Sequence, residues 1–294
     1  MIDITVCIVT FNRSHLLDDC INSVLSNKVP SDFIHVIDNS TSSVHLYVNS
    51  LIANSYNVLY FQSPVPGNLS TARNLSISNT ASTFWTFVDD DDRWPSNYLE
   101  SIDKIKDMNS ASVILTYGQP YHNSSYPFDL VDTLHSAFLL GLTPPVGMQV
   151  YNLKKLLPSL RYSEQIKSGV DHDLWISLLE ATPSVYVNRL PFNIISVPSQ
   201  SRITQSYSSR KRNISKSLKL WRGTLNDQFG IHFFNHFCRC YQTSLDDLLY
   251  SKILKGHWQL LLYFNLFYFL MFIVRRLSLR LVSNFLMFVP YNSK

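Results

Sequence analysis

Cysteine is scarce in this chain of 294 residues: only Cys7, Cys20, Cys238 and Cys240 occur. So few thiols do not make a disulfide framework, and Cys238 and Cys240 have no second pair nearby to complete a metal site. A reducing cytoplasm suits this pattern. Charged residues are also sparse, at 16% against 46% hydrophobic. That balance excludes an intrinsically disordered chain and allows one large domain with a smaller appendage. Internal repeats and low-complexity tracts are missing. The opening Met1-Ile2-Asp3-Ile4-Thr5-Val6 lacks a basic stretch leading into an apolar one, so secretion is not expected.

Negative charge is nearly missing from the back of the chain. Residues 191–294 hold 14 Lys and Arg against 3 Asp and Glu, whereas residues 1–190 hold 11 against 18. The net charge of +4 hides this split. It points to a cation-seeking front and a back that seeks polyanions or an anionic membrane.

The front alternates. "ITVCIVTF" (4–11) is a continuous apolar, β-branched run, as expected of a strand buried on both faces. Ser14 is placed to cap a following helix with Leu16, Leu17, Cys20, Ile21, Val24 and Leu25 on one stripe. "FIHVID" (33–38) predicts a second strand, residues 44–54 a helix, and "NVLYFQ" (57–62) a third strand. "STARNLSISNTA" predicts a helix entered through Ser70, and "FWTFV" a fourth strand stopped by aspartates. This order predicts an α/β sandwich around a mainly parallel sheet. "SVILTYGQ" (112–119) predicts a later strand, "SGVDHDLWISLLE" (168–180) a helix and "VYVNRLPFNIISV" (185–197) two short strands.

"FVDDDDRWP" (87–95) sets four carboxylates on one turn. Two like charges about 4 Å apart repel by roughly 4 kcal/mol at an effective dielectric near 20. Solvent could offset that as a plain acidic turn. Position favours a ligand or metal, because open sheets of this kind bind ligands beyond the carboxyl ends of their strands. Thr10-Phe11-Asn12-Arg13, Asp38-Asn39 and Asp89 to Asp92 stand at three such ends.

"TVCIVTFNR", "HVIDNS", "TARN", "FVDDDDRW" and "GVDHDLW", in this order, resemble the family 2 glycosyltransferases of GT-A fold over about residues 1–200. The resemblance implies an inverting, metal-dependent enzyme that uses a nucleotide sugar, with UDP-sugars common. It places Asp89 toward the donor sugar or ribose and Asp91 on a divalent cation, Mn²⁺ or Mg²⁺, with Asp89 sharing that metal. Hard carboxylate oxygens suit such a cation, which neutralises a leaving diphosphate. Asp90 is grouped with the donor residues, although Asp90 and Asp92 match variable positions. Thr10, Phe11 and Arg13 would line the nucleoside end, and Asp38 would accept a hydrogen bond from the base. Arg73 would lie near the base or the diphosphate.

Two of these residues carry plainer alternatives, a surface helix arginine for Arg73 and a turn-forming aspartate for Asp38. Asp171 matches the catalytic base, which takes the acceptor proton as the hydroxyl attacks the anomeric carbon. As a helix-capping residue it would instead complement the dipole. The family's acidic pair begins with Val170 here, a departure that bears on acceptor binding and on the pKa of the base.

Residues 201–294 form a basic and apolar region, expected to be helical. "WQLLLYFNLFYFLMFIV" (258–274) falls just below the length of a comfortable membrane span. "RRLSLRLVSNFLMFV" follows with Arg276, Arg280 and Ser283 on one helical face. Attachment to the surface of an anionic bilayer, a true span and a buried helix are the three readings. The first places the protein in the cytoplasm, at the inner face of the cell membrane. No nucleic-acid module accompanies the basic cluster around residues 210–222. The acceptor is expected to be a glycan or a lipid-linked sugar in surface-polysaccharide assembly. The rivals are transfer to a polyprenyl phosphate and a non-catalytic binding partner.

Overall fold

The computed structural model describes residues 2–105, 110–116, 147–166, 170–179, 184–188 and 195–196. All lie in the first of two units into which the chain divides, Met1–Leu220. The tail from residue 201, with Cys238, Cys240 and everything expected of 258–289, lies outside the described residues.

The strands and helices alternate as the apolar runs predict: β1 Ile4–Thr10, α1 Ser14–Leu25, β2 Ile34–Asp38, α2 Ser43–Ser55, β3 Leu59–Gln62, α3 Leu69–Ser78 and β4 Phe84–Asp89. A short β5, Asp92–Arg93, and α4, Tyr98–Asp103, follow. Then come β6 Val113–Thr116, β7 Gln149–Asn152, α5 Leu153–Leu156, α6 Val170–Leu179, β8 Val185–Asn188 and β9 Ile195–Ser196. Seven strands form one sheet in the order β3-β2-β1-β4-β7-β6-β8. The first four in that order are mutually parallel, and β7 enters antiparallel to both β4 and β6. β5 and β9 pair separately.

Every residue of β1 is buried, which is why it reads as an unbroken apolar run rather than an alternating one. Leu16, Leu17, Cys20, Ile21 and Val24 of α1 bury the predicted stripe, and Leu25 packs at its margin. Trp85 of β4 is fully buried and donates from Nε1 to Ser76 Oγ at 2.9 Å. The same hydroxyl lies 3.1 Å from His35 Nδ1, so one serine of α3 satisfies two buried rings on β2 and β4.

Two helix starts differ from expectation. Ser14 lies inside α1 and its hydroxyl sits 2.7 Å from His45 Nδ1 of α2, while Arg13 occupies the N-cap position without a side-chain cap bond. The helix–helix contact has claimed the hydroxyl that local pattern assigns to capping. α3 is entered through Asn68, whose side chain accepts from the Thr71 amide at 3.2 Å, and Ser70 is buried within the helix.

Candidate functional site

The parallel register decides where the polar strand ends go. Thr10 pairs with Asp38 across β1 and β2, and Val9 pairs with Asp89 across β1 and β4. The three ends therefore emerge at one level along one edge of the sheet.

The four aspartates are not equivalent. Asp90 is fully buried, and its carboxylate takes both Arg13 Nε, at 3.3 Å, and a close contact from Arg13 Nη2. Burial pushes the Asp90 carboxyl up to about 7, against the pull of the Arg13 guanidinium. Arg13 Nη1 also donates to Asp91 Oδ2 at 3.2 Å. Arg13, expected to line the nucleoside, thus lies against the aspartates. Arg93 closes the turn beneath, donating to the carbonyl oxygens of Asp90 and Asp92 at 2.8 Å.

Asp89, Asp91 and Asp92 each bring a carboxylate oxygen within 4.8 Å of the others. At that spacing each like-charge pair costs roughly 3–4 kcal/mol at an effective dielectric near 20. The Asp89 carboxyl is raised, first by burial, with the charges of Asp171 and Asp91 adding to it and Arg73 opposing. Three hard oxygen donors converging in this way fit a divalent cation such as Mn²⁺ or Mg²⁺. Asp92, whose role the sequence leaves open, joins this group because the turn and its pairing with Ser196 fold it back beside Asp91.

Arg73 is no surface arginine. It is 1% exposed, its guanidinium carbon lies 3.8 Å from the Phe87 ring centroid, and the Tyr162 ring is at 5.3 Å. Nη2 donates to Asp89 Oδ1 at 3.1 Å and Nη1 to Asp171 Oδ1 at 2.7 Å. A residue of the aspartate run and one of α6, far apart in sequence, are thus held by one side chain. Asp171 sits in the first turn of α6, where its charge also complements the dipole, and Leu174, Trp175 and Leu178, three, four and seven residues on, carry the same helix face into the core. Val170 is buried at the helix start, so no acidic group stands at that position. The side chain of His172 lies outside the described residues.

Asp38 adopts the turn geometry. Its Oδ1 accepts from the Ser40 amide at 2.9 Å, while Oδ2 accepts from Asn49 at 2.8 Å and from the Tyr60 hydroxyl at 2.9 Å. Thr10 is buried beside it. Phe11, by contrast, is 40% exposed, and a Cβ on Gly67 would lie 3.7 Å from its ring, so the loop passes close to the aromatic.

Asn12, placed by the sequence at the strand end but given no role of its own, has φ +53 and accepts through Oδ1 from the amides of Thr41 and Ser42 at 3.2 and 3.1 Å. An asparagine just past the end of a buried strand is the signal for such a left-handed residue.

Residues 5–136 match the model of the family described as glycosyl transferase family 2. These residues belong to that family. The chain is 24% identical over 180 residues to the glycosyltransferase GlyA of Streptococcus pneumoniae serotype 4, covering 60% of this chain. The chain spans about a quarter of the length of that relative, 24%. It is also 24% identical over 243 residues to WcaA of Escherichia coli K12, assigned by its name to colanic acid biosynthesis as a glycosyl transferase; 74% of this chain and 85% of that protein are covered. The fold is similar to that of TarS 1–349 of S. aureus in complex with UDP-GlcNAc, with TM-score 0.63, 17% identity, and 88% and 78% of the two chains covered. The likeness in fold extends beyond the stretch that the family model matches.

Proposed function

We propose that this glycosyltransferase moves a sugar, with inversion, from a uridine-diphosphate sugar to a hydroxyl of a glycan or lipid-linked acceptor in surface-polysaccharide assembly. The observation that carries this reading is the shared guanidinium of Arg73, which brings Asp89 of the aspartate run and Asp171 of α6 into one crevice. The uridine nucleotide bound by TarS and the colanic acid role in the name of WcaA support the donor class and the setting.

Asp89 and Asp91, with Asp92 beside them, would hold a divalent cation. When bound, that cation supplies charge neutralisation for the departing diphosphate. The exposed Phe11 ring offers a face to the nucleobase at the outer end of β1. Asp171 takes the proton of the acceptor hydroxyl as its oxygen bonds to the anomeric carbon, and the nucleoside diphosphate leaves with the electrons of the broken bond. The buried Val170 supports a second reading, a nucleotide-sugar binder without turnover.

Attachment to an anionic membrane through residues 201–294 belongs to this proposal. Among the described residues no helix is long and apolar enough to cross a membrane.

The test is release of UDP by the full chain from a panel of UDP-sugars with Mn²⁺ present. Turnover by the wild type and a loss of at least ~100-fold in Asp171→Asn, with UDP still bound, is the expected result. Near-normal turnover of the variant would put the base elsewhere, with Asp173 next in line. No turnover of any donor, alongside tight UDP binding, would favour the binder.

A further inference from the structure

Arg73 points inward from α3 and is closed on every side that the described residues define. The Phe87 ring lies under its guanidinium and the Tyr162 ring beside it, while its two terminal nitrogens are taken by Asp171 and Asp89. The planar fork of arginine fixes direction as well as distance in such a pair. At 1% exposure it lies below the surface that a nucleotide would contact. Its two terminal nitrogens are each committed to a carboxylate, and Nε is buried without a hydrogen-bond partner among the described residues.

The rest of α3 supports the same placement. Asn68 donates to the Glu164 carbonyl at 3.0 Å. Asn74 donates to the Tyr162 carbonyl and accepts from the Tyr162 amide, both at 2.9 Å. Ser70 reaches the Ile166 carbonyl at 3.5 Å. One helix therefore fixes the segment 162–166, which precedes α6 in the chain, and then grips the first turn of α6 through Arg73.

We propose that Arg73 is a positioning residue for the reaction: it holds the Asp171 carboxylate in register with Asp89 and does not touch the nucleotide. The inference rests on the reading of Asp171 as the base. Loss of the fork leaves the base free to rotate, and small errors in the placement of a catalytic group cost rate rather than donor affinity.

The experiment is a double-mutant cycle on the full chain with Arg73→Lys, Asp171→Asn and both together. UDP affinity is measured by calorimetry with Mn²⁺, and kcat from UDP release with the UDP-sugar that the wild type uses. Arg73→Lys keeps the charge and loses the fork. It should bind UDP within about threefold of wild type and lose at least ~10-fold in kcat. On the Asp171→Asn background it should cost nothing further. Tenfold weaker UDP binding with kcat intact would make Arg73 a nucleotide-reading residue and overturn the proposal. A further loss on the Asp171→Asn background would overturn it too, while leaving the base reading in place. Normal turnover by Asp171→Asn alone would remove both.

If Arg73→Lys does not fold, the crystal structure of the wild-type protein with UDP decides. A guanidinium still on Asp171 supports the proposal, and one within hydrogen-bond distance of UDP overturns it.

Discussion

His35 shows how a single buried group ties stability to pH. Burial on β2 lowers its pKa to about 4 from the ordinary 6.5, with the bond to Ser76 opposing the shift. The unfolded chain therefore binds more protons between those values, and stability is complete above pH 6.5 and lost as pH falls toward 4. The whole shift is worth up to roughly 3 kcal/mol. His35→Gln should be less stable than wild type at pH 7, because it disturbs the bond to Ser76 and the packing on Phe61. It should also show a shallower decline between pH 6.5 and 4 in urea unfolding. Parallel declines for the two proteins would mean that the imidazole is not the titrating group. The aspartate run makes a different point. Four identical residues divide by geometry: Asp90 is gripped by Arg13, while Asp89, Asp91 and Asp92 converge on one another, with Asp91 also reached by Arg13. A one-dimensional run cannot show that division, because it depends on which side of the turn each carboxylate leaves.

The element scale was the most legible from sequence. Continuous apolar runs announced β1, β2 and β4, and their parallel register followed from the helices between them. What stayed hidden was set by tertiary contact. β7 inserts antiparallel between β4 and β6, and nothing local to "QVYN" specifies that neighbour. Ser14 looks like a cap until His45 arrives from α2.

Asn12 is the same kind of case, a loop residue whose worth depends on another loop. It joins the β1–α1 turn to the start of α2, between Phe11 and Arg13. Asn12→Gly keeps the positive φ but removes the latch. It should lose about 1 kcal/mol of stability and weaken UDP binding several-fold. Asn12→Asp, which keeps the acceptor oxygen, should stay near wild type in both. Equal effects from the two variants in thermal unfolding and UDP titration would count against the latch.

At the scale of the whole molecule, the chain sets an acidic site in the front part and a basic, apolar segment behind it. The strands of the seven-stranded sheet that brings the polar strand ends together lie between Ile4 and Asn188. Truncation after about residue 250 should therefore free the protein from membranes and leave UDP binding intact. For a surface-bound tail, high salt should release the full chain as well, since each basic residue near an anionic bilayer contributes about 1 kcal/mol that salt screens. Resistance to both salt and alkaline washing would indicate a span. A full chain that is soluble and monodisperse without detergent would contradict membrane attachment.

Sugar transfer of the proposed kind requires the front part to bind a nucleotide through a cation on the aspartates. Calorimetric titration of UDP into the full chain, with Mn²⁺ and with chelator, compares wild type with Asp91→Asn. Wild type should bind UDP far more tightly with Mn²⁺ than with chelator. Asp91→Asn should lose that difference while unfolding at nearly the same temperature. UDP binding that is equally tight in all four conditions would contradict the metal site and the transfer reading built on it.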